Sequence, residues 1–247
     1  DRLTLPTQLD KLSKRIRESA KDGMYHALNP LAPNVIGKKS AERYMKNLEA
    51  ILAYKDSVGV VVQPWRLCPG ISPYSPESSA KSISKALRQL LKLANKPTSK
   101  RTLIVESGTS DTLPIVIEGF KLALAGAEFH QADIMLELPG YLKESTAALR
   151  DLTDWAQARA AKGAAPLKLL LVKGSHLAEE QMRAYTFGKG MNLRESKGET
   201  ETRYKQLVHA AIAAKAKAIC PVIGTHNLFD LAYALLDWAR SGRTGLP

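Results

Sequence analysis

Short apolar segments recur along the chain, and an amphipathic segment with helical spacing follows each of them. The clearest are residues 58–65, 102–106, 134–138, 167–172 and 218–224, with 25–28 as a weaker sixth. Each is continuously apolar rather than alternating, which is typical of strands covered on both faces. Strand followed by helix, repeated, predicts a parallel sheet with right-handed crossovers. Six such units without a dinucleotide glycine fingerprint favour a (β/α) barrel over a doubly wound sheet.

Apolar residues at helical spacing place helices between these strands. We expect Ser40 to cap one helix and Ser145 to open another, which ends before Gly163. The faces of the five clearest helices carry Tyr44, Leu48 and Ile51; Ile83, Leu87, Leu90 and Leu91; Leu149, Leu152 and Trp155; Tyr204, Leu207, Val208 and Ile212; and Leu228, Leu231 and Leu235. We interpret residues 1–247 as a single domain, with 1–24 as an N-terminal helical segment.

The charge of the chain is strongly positive. Lys and Arg number 36 against 24 Asp and Glu, a net charge of +12. This balance favours RNA or an anionic surface as a partner, although solvated helix faces explain most of the charge. The densest basic patches are residues 11–17, 92–101 and 215–217.

Other features narrow the class of protein. Cys68 and Cys220 are the only cysteines and form no CxxC or Cys/His cluster, so we expect two buried free thiols and no metal site. No apolar run approaches the roughly 18 residues of a membrane span, so no transmembrane segment is expected. The chain has no initiator Met, and we expect both ends to be trimmed, with any targeting peptide outside it.

In a barrel, active residues lie where strands end and the following loops begin. The positions to examine are 63–65, 106–108, 139–141, 173–176 and 225–227. Glu106 and His226 are one possible acid/base pair among them. No P-loop, GxSxG or HExxH motif occurs in the chain.

Three segments in the second half of the chain carry a family resemblance. LLVKGSHL, SKGETETRY and IGTHNLFDLAYALL resemble the proline dehydrogenase family, above all the proline dehydrogenase domain of bifunctional proline utilization A proteins. That family has a strand ending in Val-Lys-Gly, a helix start Lys-x-x-Thr-Asp-x-x-Tyr, and a strand ending in His-Asn. Here these read Val172-Lys173-Gly174, residues 197–204, and His226-Asn227. LNPLAPNVIG, SPYS and GYLKES add a weaker likeness upstream.

The resemblance implies a (β/α)8 barrel that binds FAD and oxidises proline to pyrroline-5-carboxylate by hydride transfer to the flavin. It also implies cofactor-binding positions that hold the pyrophosphate, ribose and adenine of FAD. These are Lys173, Gly174, Ser175, His176, Lys197, Thr200, Thr225, His226 and Asn227. Two readings of them stay open: they still bind a dinucleotide, or the barrel loops keep them for structural reasons.

The catalytic positions depart from the family pattern. Gln63 stands where the family has Lys, Leu170 where it has Arg, and Pro139 where it has a flavin-facing Gln. Glu106 stands in place of Asp. The remaining departures are Ala32-Pro33 for a Gly-Glu pair and His176 for an aromatic residue or Asn.

From these departures we derive the role expected of each residue in a site that persists. We expect Gln63 and Leu170 to be inactive and Glu106 to be the acidic group of any site that persists. His176 and His226 would be donors to a phosphate or a flavin edge.

The family has two further strands and a final helix with the Arg pair that holds the proline carboxylate, and we expect these to be missing here. Three hypotheses follow. The first is a degenerate, non-catalytic protein that is a structural or assembly subunit of a larger complex, in the mitochondrial matrix or otherwise in the cytoplasm. The second is an FAD-dependent proline dehydrogenase. The third is a nucleic-acid-binding module, which rests on charge alone.

Overall fold

The computed structural model describes residues 8–30, 37–54, 56–96, 100–174, 176–188, 196–214 and 218–243. The strands within these residues are β1 (Ala27–Leu28), β2 (Gly59–Val62), β3 (Thr102–Val105), β4 (Ile134–Pro139), β5 (Leu167–Val172) and β6 (Ile219–Gly224). The helices are α1 (Leu9–Lys21), α2 (Lys38–Ala53), α3 (Pro64–Leu67), α4 (Pro76–Ala94), α5 (Leu113–Ala123), α6 (Ser145–Ala160), α7 (Leu177–Phe187), α8 (Lys197–Ala213) and α9 (Leu228–Arg240).

The strands form one sheet in the order of the chain, β1 to β6, and every neighbouring pair is parallel. Parallel neighbours require a crossover each time, and the helices supply it. All carboxyl ends of the strands therefore lie at one edge. The predicted parallel α/β architecture with six strand–helix units is confirmed.

The core lies between the sheet and its helices. On β5, Leu167, Leu169 and Leu171 are buried, whereas the alternate residues are partly exposed on the other face. Each fully buried leucine of this kind contributes roughly 1.5–3 kcal/mol relative to an exposed one. The second face of the sheet is the one on which the candidate site is built.

Several boundaries differ from the sequence predictions. The strand predicted for 58–65 ends at Val62, because Pro64 begins α3. Ser40 is not the cap of α2: the helix begins at Lys38, and Gly37 precedes it with φ 78°. The N-terminal helical segment is α1, which ends at Lys21.

Helix α9 does not bury the predicted leucine face. Leu228 and Leu235 are exposed, whereas Asp230, Ala234 and Trp238 are buried. Helices α3, α5 and α7 were not among the predicted ones.

Some predicted features lie outside the described residues, namely Ala32-Pro33, Ser175 and the basic patch 215–217. Within the described part of the chain, no helix is long and apolar enough to cross a membrane. Cys68 and Cys220 are free thiols, each partly rather than fully buried.

Candidate site at the carboxyl ends of the strands

A row of side chains crosses four neighbouring strands near their carboxyl ends. The register pairs Glu137 with Leu170 directly. Extending the β2–β3 and β3–β4 registers by one residue places Gln63 beside Glu106 and Glu106 beside Glu137. We call Gln63, Glu106, Glu137 and Leu170 the strand-end row. It holds two carboxylates, one amide and one alkyl chain, and therefore no cation.

Gln63 and Glu106 bind each other. The Gln63 side-chain amide donates to Glu106 Oε2 at 2.9 Å. The backbone N–H of Gln63 donates to the hydroxyl of Tyr44 at 3.1 Å, which fixes the end of β2 against α2. Because the amide is neutral, it orients Glu106 without neutralising its charge.

His176 lies beside this pair. Its Nε2 is 4.0 Å from Glu106 Oε2, and its Nδ1 is 3.3 Å from Glu179 Oε2. The edge of its ring meets Trp65 at a centroid distance of 5.4 Å and an interplanar angle of 87°. Nε2 is buried and has no hydrogen-bond partner among the described residues. A protonated imidazole here would place a positive charge next to Glu106.

Lys173, directly after β5, is partly buried and paired with two carboxylates. Its ammonium is 2.7 Å from Asp230 Oδ2 and 3.7 Å from Glu201 Oε1. Asp230 is only 3% exposed and also accepts a hydrogen bond from Thr225 Oγ1 at 3.3 Å. Two carboxylates thus neutralise the charge of Lys173.

Gly174 follows Lys173, and the neighbouring ring of Tyr141 leaves no space for a side chain at this position. A Cβ at this position would lie 2.2 Å from Cδ1 of Tyr141. Tyr141 is 5% exposed, and burial raises the pKa of its hydroxyl. The glycine is therefore required by the packing of Tyr141.

The other retained family positions lie at the starts of α8 and α9. Lys197 is exposed in the first turn of α8, where Ser196 Oγ accepts from the N–H of Glu199 at 3.0 Å and the Thr200 N–H donates to the Ser196 carbonyl at 3.0 Å. A helix amino terminus with an exposed lysine suits a phosphate.

The loop after β6 is organised by its own side chains. Asn227 Oδ1 accepts from the N–H groups of Phe229 and Asp230 and so caps α9. The N–H of Asn227 donates to Thr225 Oγ1 at 3.1 Å. His226 is exposed and makes no contact with Glu106 among the described residues, so the predicted pair of these two residues is not formed. Glu106 instead lies against Gln63 and His176.

Helix α7 contributes residues that the sequence did not single out. Glu180 is 5% exposed and accepts from the N–H and the hydroxyl of Ser110, while Arg183 pairs with Asp111. These contacts join α7, which begins after β5, to the loop after β3. The helix therefore passes over the carboxyl end of β4. The pattern offered little signal for it, because the side chain that α7 buries is a glutamate.

No cluster of three or more potential metal ligands occurs in the described ranges. The arrangement that remains is an open, parallel β/α sheet whose strand-end residues form the candidate site. This places the chain in the class of TIM-barrel-like α/β proteins.

Within that class, the chain belongs to the proline dehydrogenase family, whose model matches residues 12–243. Among solved structures it resembles proline utilization A (PutA) from Corynebacterium freiburgense, with a TM-score of 0.92 and 24% identity over 97% of this chain and 25% of that one. PutA from Bdellovibrio bacteriovorus, inactivated by N-propargylglycine, has a TM-score of 0.85 and 19% identity over 97% of this chain and 26% of that one.

The chain thus spans about a quarter of the length of these PutA proteins. Comparison with curated proteins gives no match. The sequence resemblance to the proline dehydrogenase family is confirmed.

Proposed function

We propose that this chain is a proline dehydrogenase-like domain that does not oxidise proline and instead serves as a structural or assembly subunit of a larger complex. The observation that carries the proposal is the strand-end row. Two of its four members, Glu106 and Glu137, are carboxylates, and none is a cation. A flavin gains negative charge when it accepts a hydride, so the protein must supply positive charge around the ring. This row supplies the opposite field.

The residues fit FAD at one end only. Lys197, at the amino terminus of α8, suits the phosphates. At the ring end, Leu170 has no hydrogen-bond donor. At the phosphate end, the charge of Lys173 is already shared by Asp230 and Glu201. FAD would supply the hydride acceptor, but the ring-side residues do not fit that chemistry.

Exposed apolar side chains support a protein partner. Met182, Tyr185 and Phe187 on α7 are 70%, 91% and 63% exposed. Leu228 and Phe229 on α9 are 78% and 83% exposed, at the same edge of the sheet. Large exposed apolar side chains concentrated on one rim mark a protein interaction site. The proposed setting is a mitochondrial matrix complex, for which the support is the net charge of +12.

The test combines an absorbance spectrum after incubation with FAD and a proline-dependent dye-reduction assay. We expect no turnover from the wild-type chain, and turnover at an ordinary enzymatic rate, about 1 s⁻¹ or more, would disprove the proposal. The double variant Gln63→Lys/Leu170→Arg restores both family charges, and Gln63→Met/Leu170→Met is its uncharged control. Activity gained only by the charged variant would identify the missing cations as the cause.

An FAD-dependent proline dehydrogenase is the second candidate. The observation in its favour is that Glu106 keeps a carboxylate at the family's acidic position, with the imidazole of His176 4.0 Å away. Flavin bands in the purified protein, together with proline turnover, would establish it.

A further inference from the structure

A stripe of cations runs along the outer face of α4, one of the two described helices that connect β2 to β3. Lys81, Lys85, Arg88 and Lys92 follow the spacing i, i+4, i+7, i+11, which places them on one side of the helix. At a rise of about 1.5 Å per residue, the lysines are spaced by roughly 6 Å and 10 Å along the axis. We call these four residues the α4 stripe.

The stripe lines a shallow cleft of about 540 Å³, shared with Ser84, Gln89 and Leu122. Four of the seven lining residues are cationic and none is acidic. One carboxylate borders the cleft through Gln89: that of Glu49 on α2, which accepts a hydrogen bond from the Gln89 side chain at 2.7 Å. On α4 itself, Glu77 lies in the first turn, one turn before Lys81.

The three lysines of the stripe are exposed and available to bind an anion. Lys81, Lys85 and Lys92 are exposed, and none of them takes part in an ion pair within the described ranges. Arg88 differs: its guanidinium donates to the carbonyls of Leu122 and Ala123 at the end of α5. It therefore fixes α5 against α4 and contributes charge to the cleft at the same time.

The basic cleft on α1 differs from the cleft on α4, because it also contains carboxylates. On α1, the cleft that contains Lys14, Arg17 and Lys21 also contains Asp10 and Glu18. Arg17 is further paired with Asp56 at 3.1 Å. The charge within the α1 cleft is therefore largely balanced by carboxylates, whereas the cleft lined by the α4 stripe contains no acidic residue.

An aromatic side chain stands at the head of the stripe. Tyr74 is 93% exposed in the loop before α4. Ser75 and Pro76, which follow it, line a second shallow cleft together with Glu77, Ser78 and Lys81. Proteins bind single-stranded nucleic acid without sequence preference through a row of cations that contacts phosphates and exposed aromatic rings that stack on bases. The α4 stripe, with an exposed tyrosine in the loop that precedes it, offers both kinds of group.

We infer that the α4 stripe, with Tyr74, is a binding surface for single-stranded RNA that does not discriminate sequence. The lysines contact backbone phosphates, and the ring of Tyr74 stacks on one base. An anionic bilayer is less well matched, because the apolar residue of the cleft, Leu122, is only partly exposed and offers little to insert.

The test is fluorescence anisotropy with a labelled oligouridylate of roughly 16 nucleotides. With about three phosphates neutralised, the slope of log K against log salt should be near −2, or about twentyfold weaker binding at 200 mM than at 50 mM salt. We expect Lys81→Glu/Lys85→Glu/Lys92→Glu to weaken binding at least about tenfold and to flatten this slope. Tyr74→Ala should weaken it about fivefold or more.

The matched control is Lys11→Glu/Lys14→Glu/Lys21→Glu on α1, which changes three exposed lysines and the net charge by the same amount. We expect it to change affinity less than about threefold, since distant surface charges are screened. Circular dichroism shows whether each variant is folded. Equal weakening by the two triple variants, no binding by the wild type, or binding of phosphatidylserine vesicles in place of RNA would each overturn the inference.

Discussion

Two parts of the candidate site differ in how well their residues match the family pattern: the loops after β5 and β6 match it, whereas the strand-end row departs from it. In the loops after β5 and β6, Lys173, Thr225 and Asn227 keep the family residue types, and each makes a specific intramolecular contact. In the strand-end row, Gln63 and Leu170 stand where the resemblance to the family predicts cations. A side chain that bonds within the protein is retained for stability whether or not a ligand binds. The loop residues are therefore weak support for FAD binding. The lack of cations in the strand-end row is the stronger argument, and it speaks against proline oxidation.

The largest expected effect tests the structural role of the loops. Replacing Asp230 with Asn removes the buried charge that pairs with Lys173, and we expect the free energy of unfolding to fall by about 2–3 kcal/mol in urea titrations. Lys173 keeps Glu201 and some solvent contact, which limits the loss. Glu201→Gln is the control: it removes a more exposed partner 3.7 Å away and should cost about 0.5 kcal/mol. A loss below that of the control would show that Lys173 is free for a ligand.

The next effect concerns Gly174. An added Cβ would overlap the ring of Tyr141, so Gly174→Ala should destabilise the protein by about 1–2 kcal/mol in the same titration. Gly198 is the matched control, because a Cβ there finds only Ser196 Oγ at 4.0 Å. Gly198→Ala lies in the first turn of α8 and should be neutral or stabilising by about 0.5 kcal/mol. Equal effects of the two variants would remove the packing explanation for Gly174.

The smallest expected effect concerns the reactivity of Cys68, at the end of α3. Cys68 follows α3, a few residues after Gln63, and burial raises the pKa of its thiol to about 11. The thiolate is the reactive form, so iodoacetamide labelling of Cys68 should keep accelerating up to about pH 11, whereas an exposed thiol levels off near its ordinary pKa of about 8.5. Mass spectrometry of the peptide follows the rate in the wild type and in Cys220→Ser. A plateau near the ordinary pKa would mean that this region opens to solvent.

The sequence predicted the strands well, because a buried parallel strand is a short, continuous apolar run. It located the strand ends that carry Gln63, Glu106 and Lys173, and hence the face of the site. It failed where contacts are polar or distant. Helix α7 buries Glu180 instead of an apolar stripe, so periodicity gave no signal for it.

The partners of the site residues were beyond a pattern-based prediction. Lys173 and Asp230 are 57 residues apart, and only the adjacency of β5 and β6 brings them together. Glu106 was paired with His226 from their strand-end positions, whereas the sheet order places Gln63 next to it. The predicted barrel already makes consecutive strands neighbours. The register, which decides which side chains meet across two strands, cannot be read from apolar runs.

The attachment of α7 has a thermodynamic consequence. Its described contacts with the loop after β3 are the carboxylate of Glu180 on Ser110 and the pair Arg183–Asp111, with no apolar side chain of α7 buried. Added salt weakens charged contacts but strengthens apolar burial, so the rest of the fold should tighten under conditions that loosen this helix. Detachment of α7 is thus a local opening event whose free energy depends on ionic strength, separate from global unfolding. The ionic strength would then set the fraction of molecules in which α7 is detached and the carboxyl end of β4 is exposed to solvent.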